Sequence, residues 1–331
     1  MEIDPRFNVS YFYPPKRKKR SRLWITKLFL PASITEKDKI KKLFLAKNCL
    51  DLPHRIETAF LPANLAGRLF NGFYGEVSLV LQSFLNGRVF GDVTGDDPWV
   101  LALHGWARTR KDFDKLFALH KEENRQLPGL ALDLPGFGLS PPFDGPVGSL
   151  DYAKSVAEIL SGFDGKFVVV GHSFGGRVAL HLPSLLPEKV HSLILTGVPL
   201  LVLNKKRPKL GYKAIRTLYD YHLISEKKME TARGKFGSPD YVNASPVMRR
   251  VLVNLLREDY RPVMSQITCP VKLLWGSDDQ AVPPAVAEKA ATVFPNAELS
   301  IKDGVSHLLP LQDPGALYDL CQRAKATGTA D

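Results

Sequence analysis

Cysteine is scarce in this sequence: Cys49, Cys269 and Cys321 are the only three in 331 residues. An odd number without framework or metal-ligand spacing excludes a disulfide scaffold and a thiolate metal centre, and it points to a reducing compartment, so a cytoplasmic location is expected. Long apolar runs are also missing. None approaches the roughly 20 residues that a helix needs to cross a bilayer, which argues against a membrane-spanning role. Leu23 to Ala32 follow a cationic block as the core of a signal peptide would, but Lys27 interrupts them and no small-residue cleavage site follows. Internal repeats are absent too, and the one compositionally biased stretch is basic.

What is present is the composition of an ordinary soluble protein, 44% hydrophobic and 24% charged. The length suits one catalytic domain with attachments, because single cores stop growing near roughly 250 to 300 residues. The net charge of +11 is uneven: residues 1–50 hold 13 Lys and Arg against 4 Asp and Glu, and the other 281 residues carry only +2. On this reading the basicity belongs to a tail and not to the remainder of the chain. Its densest part is Lys16-Arg17-Lys18-Lys19-Arg20, with Arg22 beyond. Residues 16–22 are thus a candidate contact for an anionic surface, membrane or nucleic acid, against the plainer reading of a solvated tail.

Residues 1–75 read as a basic extension, with spacing for a short amphipathic helix over Ile34 to Leu45. From Arg88 onward, short apolar strands alternate with glycine or proline and then helical patterns, the signature of strand-helix-strand units on a parallel sheet. The expected strands are Arg88–Val93, Trp99–Leu103, Leu130–Leu134, Phe167–Val170, Ser192–Thr196, Val271–Trp275 and Glu298–Ile301. Several are continuously apolar, as strands buried on both faces are. Leu150, Ala153, Val156, Ala157 and Leu160 recur at helical spacing after Ser149 as a cap. The alternation breaks between Pro199 and Met264. There Ser245 as cap, Pro246 at the first helical position and the stripe Val247, Val251, Leu252 and Leu255 mark the clearest helix. The expected organisation is a core over 76–198 and 265–331, with a helical lid at 199–264 over the strand ends, where open parallel sheets bind ligands.

The strongest chemical signal is Phe167 to Val170 running into Gly171-His172-Ser173-Phe174-Gly175-Gly176 and then a helical pattern. A strand that turns at once into a helix strains its turn residue, and small residues two positions either side let the chain pass. Such a turn lifts the Ser173 hydroxyl above the sheet at the positive end of a helix, with the Phe174 amide toward a developing oxyanion. A serine needs a base, and the base needs a carboxylate to fix its tautomer. His307, in a loop after the last strand, is the candidate base. His172 is expected to point away into the packing of the turn, and His104 to be structural. Asp278 and Asp279 both follow a strand, and sequence physics does not choose between them. A second oxyanion amide is expected from His104-Gly105-Trp106-Ala107, at Trp106. Its ring fits either a pocket wall or the core.

His104-Gly105-Trp106, Asp133-Leu134-Pro135-Gly136-Phe137-Gly138-Leu139-Ser140, Gly171 to Gly176, Gly276-Ser277-Asp278-Asp279-Gln280-Ala281-Val282-Pro283 and Gly304-Val305-Ser306-His307 together resemble the successive blocks of the α/β-hydrolase superfamily over residues 88–320. The resemblance implies an α/β-hydrolase fold: a mostly parallel, doubly wound sheet with a helical lid insertion, here with an extra basic N-terminal segment. It implies Asp279 as the acid, because the fourth residue of that block has this role, and Trp106 as the oxyanion donor. It places Asp133 in a turn beside the pocket, outside the triad. A serine nucleophile makes the chain unlike the aspartate-dependent epoxide hydrolase and haloalkane dehalogenase branches. Residues Gly237 to Arg249 look like lids of bacterial members. Pro183 is a departure, since family helices usually continue there, and it is expected to kink or end the helix.

The expected function is cleavage of a carboxylic ester, or a related acyl compound, by a Ser173, His307 and Asp279 triad through an acyl-enzyme. No cofactor is expected, and the partner is a small acyl substrate. Carbon-carbon bond hydrolysis and amide or peptide cleavage are the rival reactions. An inactive scaffold with an anion-binding tail is the non-enzymatic rival. Arg108, Arg110, Arg177 and Lys205-Lys206-Arg207 are cations that would greet an acidic substrate if they are not simply solvated.

Overall fold

The computed structural model describes residues 79–118, 127–202 and 210–327. The basic segment with residues 16–22, the helix expected over Ile34 to Leu45, and Lys205-Lys206-Arg207 lie outside the described residues. Eight strands form one sheet: β1 (Val80–Phe84), β2 (Val89–Thr94), β3 (Val100–Leu103), β4 (Gly129–Asp133), β5 (Phe167–His172), β6 (Val190–Thr196), β7 (Val271–Gly276) and β8 (Ala297–Lys302). Their order is β1-β2-β4-β3-β5-β6-β7-β8. β2 runs antiparallel to β1 and β4, and every other pairing is parallel.

Seven of these strands fall where the sequence indicates, within two residues. β1 was not anticipated. Four of its five residues are exposed, so it has no buried face to impose an alternation, although Asn86-Gly87 in the turn to β2 is a recognisable hairpin signal. The central strands are apolar throughout because both faces are covered. Leu101 and Leu103 of β3 and Phe167 and Val169 of β5 enter one core cluster, while Val100, Ala102, Val168 and Val170 enter the other. Helix α1 (Asp114–Ala118) packs Leu116 and Phe117 into the second cluster, on the face opposite α2 (Ser149–Leu160).

Helix α2 corrects one expectation. Gly148, not Ser149, is its cap: the Gly148 amide donates to Asp151 Oδ2 at 3.1 Å, while the Ser149 hydroxyl turns away to Glu258. Leu150 is also exposed, and Tyr152 and Ile159 take places in the buried stripe instead. After β5 the chain forms α3 (Phe174–Ala179), breaks, and starts α4 (Leu182–Leu185) with Pro183 in its first turn. A proline is tolerated there because the first-turn amide has no intrahelical acceptor in any case.

Between β6 and β7 lie α5 (Leu210–Asp220), α6 (Glu226–Phe236), α7 (Pro239–Asn243), α8 (Pro246–Leu255) and α9 (Arg261–Met264). The Ser245 hydroxyl accepts from the Met248 amide at 3.4 Å, and Met248, Val251 and Leu255 form the buried stripe of α8. Val247 and Leu252 are only half-buried. Helix α10 (Pro284–Ala291) follows β7, and α11 (Leu309–Gln312) and α12 (Pro314–Thr327) follow β8. Among the described residues no helix is long and apolar enough to cross a membrane.

Candidate active site

The site is assembled at the carboxyl ends of β3, β5, β6, β7 and β8. Ser173 follows β5 directly and adopts φ 48° and ψ −111°, a conformation that costs a non-glycine residue on the order of 1–3 kcal/mol. Neighbouring strands hold it there: its amide donates to Thr196 of β6 at 2.9 Å, and the Gly175 amide donates to the His104 carbonyl at 2.9 Å. The flanking glycines are required by close approach. A Cβ on Gly171 would lie 2.6 Å from Gly176 Cα, and one on Gly175 would lie 2.2 Å from the Leu103 carbonyl oxygen.

His307 stands between the serine and a carboxylate, with Nε2 3.2 Å from Ser173 Oγ and Nδ1 2.8 Å from Asp279 Oδ2. Asp279 is buried, and its other oxygen accepts the amides of Ala281 at 2.9 Å and Val282 at 2.8 Å. Those amide bonds fix the carboxylate in place, and its Oδ2 accepts a hydrogen bond from Nδ1–H, which turns Nε2 toward the serine hydroxyl. Asp278, the alternative carboxylate, is exposed and accepts from Ser277 Oγ. Geometry therefore separates the two adjacent aspartates. The Ala281 and Val282 amides were not foreseen; their only trace in sequence is a short turn closed by Pro283.

Two amides near Ser173 have no acceptor among the described residues. Phe174 is the first residue of α3, so its N–H has no acceptor one turn back. Among the described residues the Trp106 amide likewise has no hydrogen-bond acceptor. The Trp106 ring is half-buried, packing edge-on against Phe137 at 5.0 Å and Phe174 at 5.7 Å, so it is partly core and partly free surface. Tyr152 adds a third contact, 4.9 Å from the Phe174 ring. These aromatic neighbours were not singled out in the sequence, although Phe137 sits within a recognised block.

The two other nearby histidines are spacers of fixed charge. His104 Nδ1 donates to the Gly105 carbonyl at 2.7 Å, and Nε2 accepts the Leu134 amide at 3.0 Å. Burial pushes its pKa down. His172 is held by Nδ1 to the Thr196 carbonyl at 3.2 Å, but its ring also lies 5.0 Å from that of His307, so it does not point fully away from the site. Burial, and then the neighbouring His307, lower its pKa to about 3, and it is neutral at pH 7.

Asp133 lies outside the triad. It accepts the Arg110 amide at 2.9 Å, the Arg110 guanidinium at 2.5 Å and the Leu139 amide at 2.8 Å, and so fixes the turn beside the site. Among the described residues, the three cations that a substrate could have met are engaged with other groups. Arg110 is paired with Asp92 and Asp133, and Arg108 is bidentate to Asp112. Arg177 donates to the Leu255 and Pro199 carbonyls and lies over Tyr260. Among the described residues no group of three His, Cys, Asp or Glu side chains could hold a metal ion.

A sequence profile of the alpha/beta hydrolase family matches residues 100–320. The pimeloyl-[acyl-carrier protein] methyl ester esterase of Neisseria meningitidis serogroup B is 29% identical over 226 residues, covering 63% of this chain and 85% of the relative. The same-named protein of Chromobacterium violaceum is 27% identical over 248 residues, covering 66% and 91%. Among solved structures, an esterase from Exiguobacterium antarcticum superposes with a TM-score of 0.56 at 20% identity, covering 75% of this chain and all of that one. A likeness at that identity speaks for the fold alone.

Proposed function

The chain belongs to the alpha/beta hydrolase family, and we propose that it is a serine hydrolase that cleaves a carboxylic ester with Ser173, His307 and Asp279. The observation that carries this reading is the unbroken line from Asp279 through His307 to Ser173, drawn from three separate strand ends. The relatives named as methyl ester esterases support an ester as the bond that is cut.

In this mechanism His307 takes the Ser173 proton as Oγ attacks the ester carbonyl, and Asp279 holds the imidazolium that forms. The carbonyl electrons move to oxygen, where the amides of Trp106 and Phe174 stabilise the oxyanion. His307 then protonates the departing alcohol as the tetrahedral centre collapses to an acyl-serine. A water, deprotonated by the same imidazole, attacks this acyl group, and as the second tetrahedral centre collapses His307 returns that proton to Ser173 Oγ, which leaves as the acid is released. Because the described cations at these strand ends are engaged, and aromatic rings flank Ser173, the acyl group next to the ester is apolar and uncharged. Residues 199–264 act as a lid that shapes the site for that acyl group.

Ser173→Ala tests the reading. Activity toward short p-nitrophenyl esters should fall by roughly 10³-fold or more with thermal unfolding unchanged, because the triad acts as a unit. Retained activity, or failure of a fluorophosphonate to label Ser173 in the unaltered protein, would overturn it.

A further inference from the structure

The modest charge of residues 51–331 conceals two opposite regions. Residues 199–264 hold fourteen Lys and Arg against six Asp and Glu, a net +8, and the rest of that stretch is net −6. The insertion is thus cationic in sequence beside a net acidic remainder, which corrects the reading that basicity belongs to the tail alone. The same insertion carries the most exposed large apolar side chains among the described residues: Tyr221 at 73%, Leu223 at 69%, Val202 at 68% and Leu256 at 65%.

Tyr221 and Leu223 share one turn, the end of the hairpin made by α5 and α6. The Leu223 amide donates to the Leu218 carbonyl and the His222 amide to the Tyr219 carbonyl, both at 2.8 Å, with His222 at φ 57°. This pair of bonds around a left-handed residue is a Schellman helix stop. The motif normally tucks its last apolar residue against the helix, here Leu223 against Leu218, yet Leu218 is itself 42% exposed and Tyr221 projects beside it. Across the hairpin, Arg233 of α6 lies over the Tyr219 ring of α5 at 5.7 Å, and the Tyr219 hydroxyl donates to Glu226 of α6, which ties the two helices together. The tip is therefore held in shape with its apolar groups outward.

Directly after the tip, Lys227 and Lys228 occupy the first turn of α6, exposed and without an ion-pair partner among the described residues. The helix dipole disfavours cations at that end, so helix stability gives no reason for two lysines there. We propose that this tip, Leu218, Tyr221, Leu223, Lys227 and Lys228, docks the protein on an anionic lipid surface. The apolar trio enters the interfacial layer, and the lysines meet lipid phosphates. A tyrosine with an apolar ring and polar hydroxyl suits that boundary. The tip is the end of a hairpin and not a concavity, so it offers no pocket for the buried anchors that a protein partner uses. A fluid bilayer needs none. The insertion leaves the core at the carboxyl end of β6, the sheet edge that carries Ser173, and returns at the amino end of β7. The docking itself does not depend on what Ser173 does.

The test is flotation of the full chain with vesicles of phosphatidylcholine alone or with 30% phosphatidylglycerol ("30%" meaning about one lipid in three), at low salt and at about 0.5 M salt. The full chain should bind the anionic vesicles, and a fraction of binding should survive high salt because apolar insertion is not screened. Tyr221→Ser with Leu223→Ser should abolish that salt-resistant fraction and weaken low-salt binding about tenfold. Lys227→Gln with Lys228→Gln should weaken low-salt binding about threefold, in line with one modest contact per lysine. Equal thermal unfolding of all variants shows that folding is not the cause. Variants that bind like the unaltered chain would overturn the proposal, because binding would then come from elsewhere. So would absence of vesicle binding, including the case in which immobilised poly-glutamate is bound in a Tyr221-dependent way and the partner is an acidic protein.

Discussion

The carboxyl edge of the sheet and the inserted helices above it are built by opposite rules. At the sheet edge the carboxylates are fully committed: Asp279 holds two amides and an imidazole, and Asp133 holds two amides and a guanidinium. The insertion instead keeps apolar and cationic groups in the open at its tip, and besides the buried stripe of α8 it joins the core through one polar cluster. There the Glu258 carboxylate accepts the Ser149 amide at 2.9 Å, the Ser149 hydroxyl at 2.6 Å and the Tyr260 hydroxyl at 2.5 Å, and His181 Nε2 lies 2.8 Å from the Ser149 hydroxyl. The contrast teaches that chemistry demands fixed geometry, whereas substrate and surface contact leave side chains uncommitted.

The sharpest way to break this contrast is at the paired aspartates. Asp279→Asn should cost about 10⁴-fold in kcat toward a short ester, because an amide no longer fixes the imidazole tautomer. Asp278→Asn, one residue away and exposed, should stay within about twofold of the parent activity. Equal effects of the two would show that the edge is less exacting than described. Gly175→Ala should destabilise the fold by roughly 3 kcal/mol or more in urea unfolding, since its methyl group meets backbone that cannot yield.

Acid should act on the histidines of the sheet edge and of the core helix that meets the insertion. His104, His172 and His181 all have pKa values lowered first of all by burial. Their folded pKa values lie below the unfolded value, so the unfolded chain binds protons first. The stability they contribute is complete above about pH 6.5 and is lost as pH falls toward the folded values, which for His172 is about 3. The slope is at most about 1.4 kcal/mol per pH unit for each histidine. Thermal unfolding between pH 7 and 4.5 should show it, and His172→Gln should flatten it.

The insertion should yield smaller effects. Glu258→Gln should cost about 1–2 kcal/mol and speed amide exchange over Pro246–Met264 while the sheet stays protected. His222→Gly, which relieves the left-handed residue at the hairpin tip, should raise stability by roughly 0.5 kcal/mol. A larger change at either position would mean that the inserted helices are as tightly specified as the sheet.

Legibility in sequence followed the same divide. The central strands could be read because burial on both faces makes them apolar without interruption, and the turn at Ser173 because close backbone approach admits only glycine at 171 and 175. β1 escaped because an edge strand exposed on both sides has nothing to alternate. Asp278 and Asp279 could not be told apart from composition or spacing; the resemblance favoured Asp279, and the physical difference is which carboxylate turns inward to the Ala281 and Val282 amides. The role of Ser149 was misread because its partner, Glu258, is 109 residues away. The charge of the insertion was missed because summing 281 residues cancelled its excess of cations against an acidic core.

Ser173 and His307 are separated by 134 residues, with the whole insertion between them. During synthesis the serine turn is therefore made first and waits for its base. At about 5–20 residues per second that wait lasts on the order of ten seconds. On the proposed mechanism, the nascent chain carries only a weakly nucleophilic alcohol through that interval, and its reactivity toward acyl groups waits for His307.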